Sequence, residues 1–170
     1  LLLLFSSYGF LSNAQCSDAG VCSVGHTMGD NSNNIFDINL GYKFGSSGKE
    51  DDVKYHSFLL GAAYNILEKT SVQMSIPYNI QSGPLGDVNG IGDLLVSVTQ
   101  NFISENNSSL DASIGAKFAT GEDNKDKLPM AYQSGLGSKD ILFALNYYYN
   151  NIGFGVGYQL AGGRNNNVIK

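Results

Sequence analysis

Seven segments of this chain alternate apolar and polar residues with a period of two, and few folds accept that pattern repeated so often. Successive side chains of a β-strand point to opposite faces, so each segment predicts a strand with one oily and one polar side. The first, Ile35 to Gly45, sets Phe36, Ile38, Leu40, Tyr42 and Phe44 against Asp37, Asn39, Gly41, Lys43 and Gly45. The second, Tyr55 to Ile66, aligns Phe58, Leu60, Ala62, Tyr64 and Ile66. The third, Ser71 to Tyr78, aligns Val72, Met74, Ile76 and Tyr78 against Gln73 and Ser75. The fourth, Asp93 to Phe102, puts Leu94, Val96, Val98 and Phe102 opposite Asp93, Ser97, Thr99 and Asn101. The fifth opposes Leu110, Ala112, Ile114, Ala116 and Phe118 to Asp111, Ser113, Gly115 and Lys117. The sixth opposes Ile141, Phe143, Leu145, Tyr147 and Tyr149 to Asp140, Ala144, Asn146 and Tyr148. The seventh opposes Ile152, Phe154, Val156, Tyr158 and Leu160 to Gly153, Gly155, Gly157 and Gln159.

The connections alternate as well. Long polar stretches follow the first, third and fifth segments: Ser46 to Lys54, Asn79 to Gly92 and Ala119 to Lys139. Short turns follow the second, fourth and sixth, at Leu67 to Lys69, Ser104 to Ser108 and Asn150-Asn151. Outer-membrane barrels join their strands by long extracellular loops and short periplasmic turns. A tilted strand crosses the bilayer core in about 9–11 residues, and most of the segments are near that length. Aromatic residues near strand ends, such as Tyr42, Phe44, Tyr64, Phe102 and Tyr147, suit an interfacial girdle. The pattern therefore predicts an all-β, antiparallel, up-and-down transmembrane β-barrel. About seven strands of it are present. Single-chain bacterial barrels have an even count, and an open edge in lipid would leave amides and carbonyls unpaired. The sequence is thus read as a fragment, incomplete at both ends.

Composition agrees. Only 15% of residues are charged, with 21 Gly, 10 Tyr and no Trp among 170 residues. The net charge of -5 argues against a nucleic-acid partner, which needs a basic face. After the N-terminus no run of about 18 apolar residues offers a membrane helix. The start of the sequence is different in kind. Leu1 to Leu11 is a short apolar run, followed by Ser12-Asn13-Ala14, small enough at Ser12 and Ala14 for signal-peptidase cleavage before Gln15. Residues 1–14 read as a partial signal peptide, residues 15–34 as a periplasmic segment, and residues 35–170 as the barrel. Export permits a disulfide, and Cys16 and Cys22 flank a Gly-containing loop, so a small Cys16–Cys22 ring is expected. A metal site is disfavoured there, because His26 is the one nearby candidate ligand.

The polar faces carry the candidate functional residues. Asp37, Asn39, Lys43, Gln73, Asp93, Asn101, Asp111, Lys117, Asp140 and Asn146 are expected to face the lumen. Opposite charges on neighbouring strands suggest a ladder. It either satisfies itself inside a polar core or forms a charged constriction that selects solutes. Pro77 is expected to end the third strand or mark a bulge.

Three stretches carry a resemblance: Gly90-Ile91-Gly92-Asp93 opening a strand, Ala116 to Asp123 (AKFATGED) closing one, and Leu128 to Asp140 (LPMAYQSGLGSKD). The chain resembles the MetA-pathway of phenol degradation family of outer-membrane barrels. Ala119 stands where that family's turn has proline. The resemblance spans roughly Ile35 to Leu160 and rests mostly on turn geometry. It implies a barrel of about 12 strands in a Gram-negative outer membrane, taking up small aromatic or other hydrophobic compounds.

Catalysis is not expected. His56 neighbours Ser57, but adjacent strand residues face opposite ways, and no GxSxG, HExxH or P-loop is present. No cofactor is implied. The expected partners are outer-membrane lipid and an unidentified small solute. Two other readings remain open. One is a closed structural or adhesion barrel whose extracellular loops bind partners. The other is a soluble secreted β-sandwich, whose apolar faces would turn inward.

Overall fold

The computed structural model describes residues 35–48, 52–105 and 107–163. The proposed leader, the segment 15–34 and the Cys16–Cys22 pair lie outside the described residues.

Eight strands follow one another: β1 (Phe36–Ser46), β2 (Lys54–Leu67), β3 (Thr70–Gly83), β4 (Gly86–Ile91), β5 (Leu94–Glu105), β6 (Ser108–Phe118), β7 (Asp140–Tyr149) and β8 (Ile152–Leu160). All pair antiparallel with their neighbours in a single sheet, ordered β1-β2-β3-β5-β6-β7-β8. The sheet curls into a half-barrel. The alternation fixes which side is inside. Large apolar residues line the outer face, and Phe36, Ile114 and Val156 are 55%, 51% and 66% exposed. The polar side is the buried one, with Ser97, Thr99, Asp111, Ser113, Lys117 and Asp140 all shielded. A β-sandwich would cover the apolar face with a second layer. Among the described residues no such layer exists.

Two short turns, Glu68-Lys69 and Asn150-Asn151, and the one between β5 and β6 share a rim. Asn150 adopts a left-handed φ of 50°, which Asn tolerates better than most residues. Its N–H donates to the Asn107 carbonyl at 2.7 Å, tying two of these turns together. Register shifts between Asn65 and Leu67, and between Asn101 and Ile103, fall near this same rim. The second shift exposes both Phe102 and Ile103. Gln100, which interrupts the apolar face, accepts a 2.7 Å hydrogen bond from Thr70.

The opposite rim departs from expectation. Asn79 to Gly92 is not a polar loop. Strand β3 runs on through Gly83, turns at Pro84-Leu85 and returns as β4. Alternation persists here as Asn79, Gln81 and Gly83 on one face and Tyr78 and Ile80 on the other, but the Gly and Pro content disguises it. Strand β3 therefore changes partner. It pairs with β5 from Thr70 to Ser75 and with β4 from Tyr78 to Gly83. Pro77 sits at the changeover and does not end the strand. Its carbonyl accepts from Gly92 N–H at 2.8 Å. An extended residue directs its N–H and C=O to the same side, so the missing donor of Pro77 falls where the neighbouring strand is broken anyway.

Glycines on the inner face admit neighbouring side chains. Tyr55 lies over Gly45, Asn39 over Gly61 and Tyr148 over Gly153, each where an added Cβ would collide. Long side chains thus lie flat along a tightly curved wall.

Candidate functional site

The inner wall and the loop that crosses its mouth form the candidate site. On the wall, cross-strand register gathers the polar residues into rungs. Asn101, Asp111 and Asn146 stand side by side on β5, β6 and β7. Asn101 Nδ2 donates to Asp111 Oδ1 at 2.7 Å. The Thr99 and Ser113 hydroxyls lie 2.8 Å apart one rung above. Each such buried bond is worth about 0.5–1.5 kcal/mol net.

Nearer the mouth, Lys117 Nζ contacts Asp140 Oδ2 at 2.7 Å, with the two side chains 5% and 1% exposed. Gln159 Nε2 donates to the same oxygen at 2.7 Å, and the Gly162 amide donates to Oδ1 at 3.0 Å. Three strands, β6, β7 and β8, are thereby joined through one carboxylate. Next to this pair the wall turns apolar, where Leu95 and Leu142 are buried against each other with Ala144 beside them.

Of the sequence-predicted residues, Lys117 and Asp140 form the expected opposite-charge contact. Asp111 bonds the Asn101 amide, a neutral partner on the neighbouring strand. Asp37 and Gln73 flank Ala63 across β1, β2 and β3 and are half-buried. Asn39 covers Gly61, and Lys43 is exposed near the end of β1. His56 lies on the outer face, its Nδ1 2.7 Å from the Tyr42 hydroxyl and its ring stacked on Tyr42. Phe58 and Phe44 complete this aromatic patch around Tyr42.

The larger surprise is the segment 119–139. It folds over the inner side of the β3–β4 hairpin. Two short 3-10 turns, Lys125–Lys127 and Met130–Tyr132, shape it. Tyr132 stacks at Gly83, and its hydroxyl accepts from Leu85 N–H at 3.1 Å. Gln81 Nε2 donates to the Gln133 carbonyl at 3.1 Å, and Asn79 Nδ2 donates to the Ser134 carbonyl at 2.7 Å. Val53, Val88 and Tyr132 form a dry cluster with Leu128 against it. Gln133 is buried and knots the loop to itself, accepting from Lys125 N–H and donating to the Lys125 and Leu128 carbonyls.

Asp93 holds the neck of this loop. Its Oδ1 accepts from Gly121 N–H at 3.1 Å and its Oδ2 from Leu136 N–H at 2.9 Å. Thr120 Oγ1 donates to the Gly92 carbonyl at 3.0 Å and accepts from Leu94 N–H at 2.9 Å. Gly121 and Gly135 meet backbone to backbone, where a Cβ on either would lie 2.7 Å from the other's Cα. The three stretches singled out in the sequence thus converge at one place. Their glycines are there because two chain segments cross without room for side chains.

Asn101 Oδ1 and Gln81 Oε1 are buried acceptors with no hydrogen-bond partner among the described residues. The described residues define an antiparallel half-barrel of inverted polarity with an inward-folded loop. No protein-family model matches the chain, and no curated protein matches it in sequence.

Proposed function

We propose that this chain is part of an outer-membrane β-barrel that lets small solutes pass through its interior. The observation that carries this reading is the inverted polarity of the curled sheet. Exposed outer residues such as Leu40, Phe58, Phe143 and Phe154 are between 40% and 83% accessible. Half a dozen neighbouring ones already amount to the roughly 300–600 Å² that is the largest bare patch of a typical soluble monomer. Here the apolar face extends over every wall strand, as a lipid-facing surface does. Strands β1 and β8 are the two ends of the sheet order. In lipid both would need partners, and further strands completing a barrel of about 12 would supply them.

Export through the leader read in residues 1–14, and membership of the phenol-degradation barrel family, belong to the same proposal.

Fractionation and conductance test it together. The full-length protein is expected in the outer membrane, with heat-modifiable gel mobility. In planar bilayers it is expected to give steady conductance. Solubility without detergent would overturn the membrane reading. An intact, membrane-embedded barrel that stays silent would instead mark a scaffold whose loops do the work.

A further inference from the structure

We propose that Asp93 is a positioning residue that pins the 119–139 loop as a fixed constriction, and that this loop sets the size of solute admitted. The second half rests on the channel reading above, whereas the first stands on geometry alone.

The geometry is that of one carboxylate accepting from both arms of a loop. Gly121 and Leu136 are fifteen positions apart in sequence, and each gives its backbone N–H to a different oxygen of Asp93. The arms also bind each other, since Gly135 N–H donates to the Glu122 carbonyl at 3.0 Å. Closing such a loop has an entropic cost, and charge-assisted bonds to two amides offset it where the arms meet. Tyr132, Gln133 and Ser134 cross the inner side of β3 at Gly83, Gln81 and Asn79 in turn. The loop therefore occupies space inside the curl, on the side a solute must traverse. Lys127, at the far end of the loop, is exposed and offers a site for trypsin.

The decisive variant is Asp93→Asn, which keeps the shape of the side chain. An amide has one acceptor oxygen and turns a donor toward the other N–H, so one arm is released. Asp87→Ala, at an exposed carboxylate on β4, is the control. Limited trypsinolysis of the full-length protein in detergent is expected to cleave after Lys127 at least about tenfold faster in D93N, with heat-modifiability retained and D87A unchanged. A rate within twofold of the parent would refute the pinning. Should D93N lose heat-modifiability, Asp93→Glu provides the same readout with a carboxylate displaced by one methylene.

A second variant replaces residues 123–134 by two glycines, leaving Asp93 and the strands in place. Proteoliposome swelling with sugars from pentose to tetrasaccharide reads the size limit. The shortened loop is expected to admit sugars the parent excludes. If both admit the same series, the loop is no filter. If neither admits any sugar while D93N is still cleaved faster, the channel reading fails and the pinning stands.

Discussion

Replacing Lys117 by Met should destabilise the protein by about 3 kcal/mol, the low end of the 3–5 kcal/mol seen when one partner of a buried pair is removed. The low end applies because Asp140 retains the Gln159 amide and the Gly162 N–H after the lysine is gone. Asp140→Asn should cost a similar amount, since it removes the carboxylate that sits 2.7 Å from Lys117 Nζ. The double variant should cost about 3–4 kcal/mol rather than the sum, a coupling of about 2–3 kcal/mol. Equilibrium unfolding in urea, from detergent micelles or lipid vesicles, supplies the four stabilities. The 10 tyrosines and the absence of tryptophan make tyrosine emission the probe. A coupling below about 0.5 kcal/mol would mean that the pair behaves as an exposed one. The inner wall at Lys117 would then be open to water, contrary to the 5% and 1% exposures.

Other outcomes follow from the same geometry. Ile114→Arg should cost about 2–4 kcal/mol in a bilayer if this residue sits near the midplane, while an exposed site on a soluble protein would lose almost nothing in the same unfolding assay. Tyr132→Ala should cost about 3–5 kcal/mol by emptying the cluster with Val53 and Val88, whereas Tyr132→Phe should cost only about 1 kcal/mol for the lost acceptor of Leu85 N–H. Gly135→Ala should push the loop neck apart, because its Cβ would lie 2.7 Å from Gly121 Cα, and faster tryptic cleavage after Lys127 would record it. An unchanged cleavage rate in Gly135→Ala would argue against close apposition of the two arms.

The wall strands were legible because alternation leaves little freedom. Strands β7 and β8 begin where the pattern begins, and a one-residue slip would have turned Asp140 and Phe143 to the wrong sides. Lys117 and Asp140 could be expected on the same face, though their contact depends on register that no single segment states. The β3–β4 hairpin was hidden because glycine and proline read as loop, and only the partner strand reveals that Pro77 needs no donor there. The inward course of the 119–139 loop was not legible. It depends on backbone N–H groups of Gly121 and Leu136 finding Asp93, and peptide groups carry no sequence signature. A Leu-Pro-Met-Ala-Tyr-Gln run in a polar loop was the available hint, since a tyrosine and a leucine seldom stay in water when a dry pocket is near. Leu95 and Leu142 were equally opaque, being apolar residues on the polar phase of their strands.

The glycines of the inner face set a rule for how such a hollow can change over evolutionary time. At Gly45, Gly61 and Gly153 the missing Cβ leaves a shallow recess in which Tyr55, Asn39 or Tyr148 reclines, so clearance above the inner wall depends on the thickness of a ring or amide rather than its reach. Filling the recess beneath Tyr55 or Tyr148 with a single methyl would tip the phenol upright, toward the axis. An inner wall built this way narrows the space it encloses in abrupt steps, by swinging residues it already possesses, and needs no larger ones to be introduced.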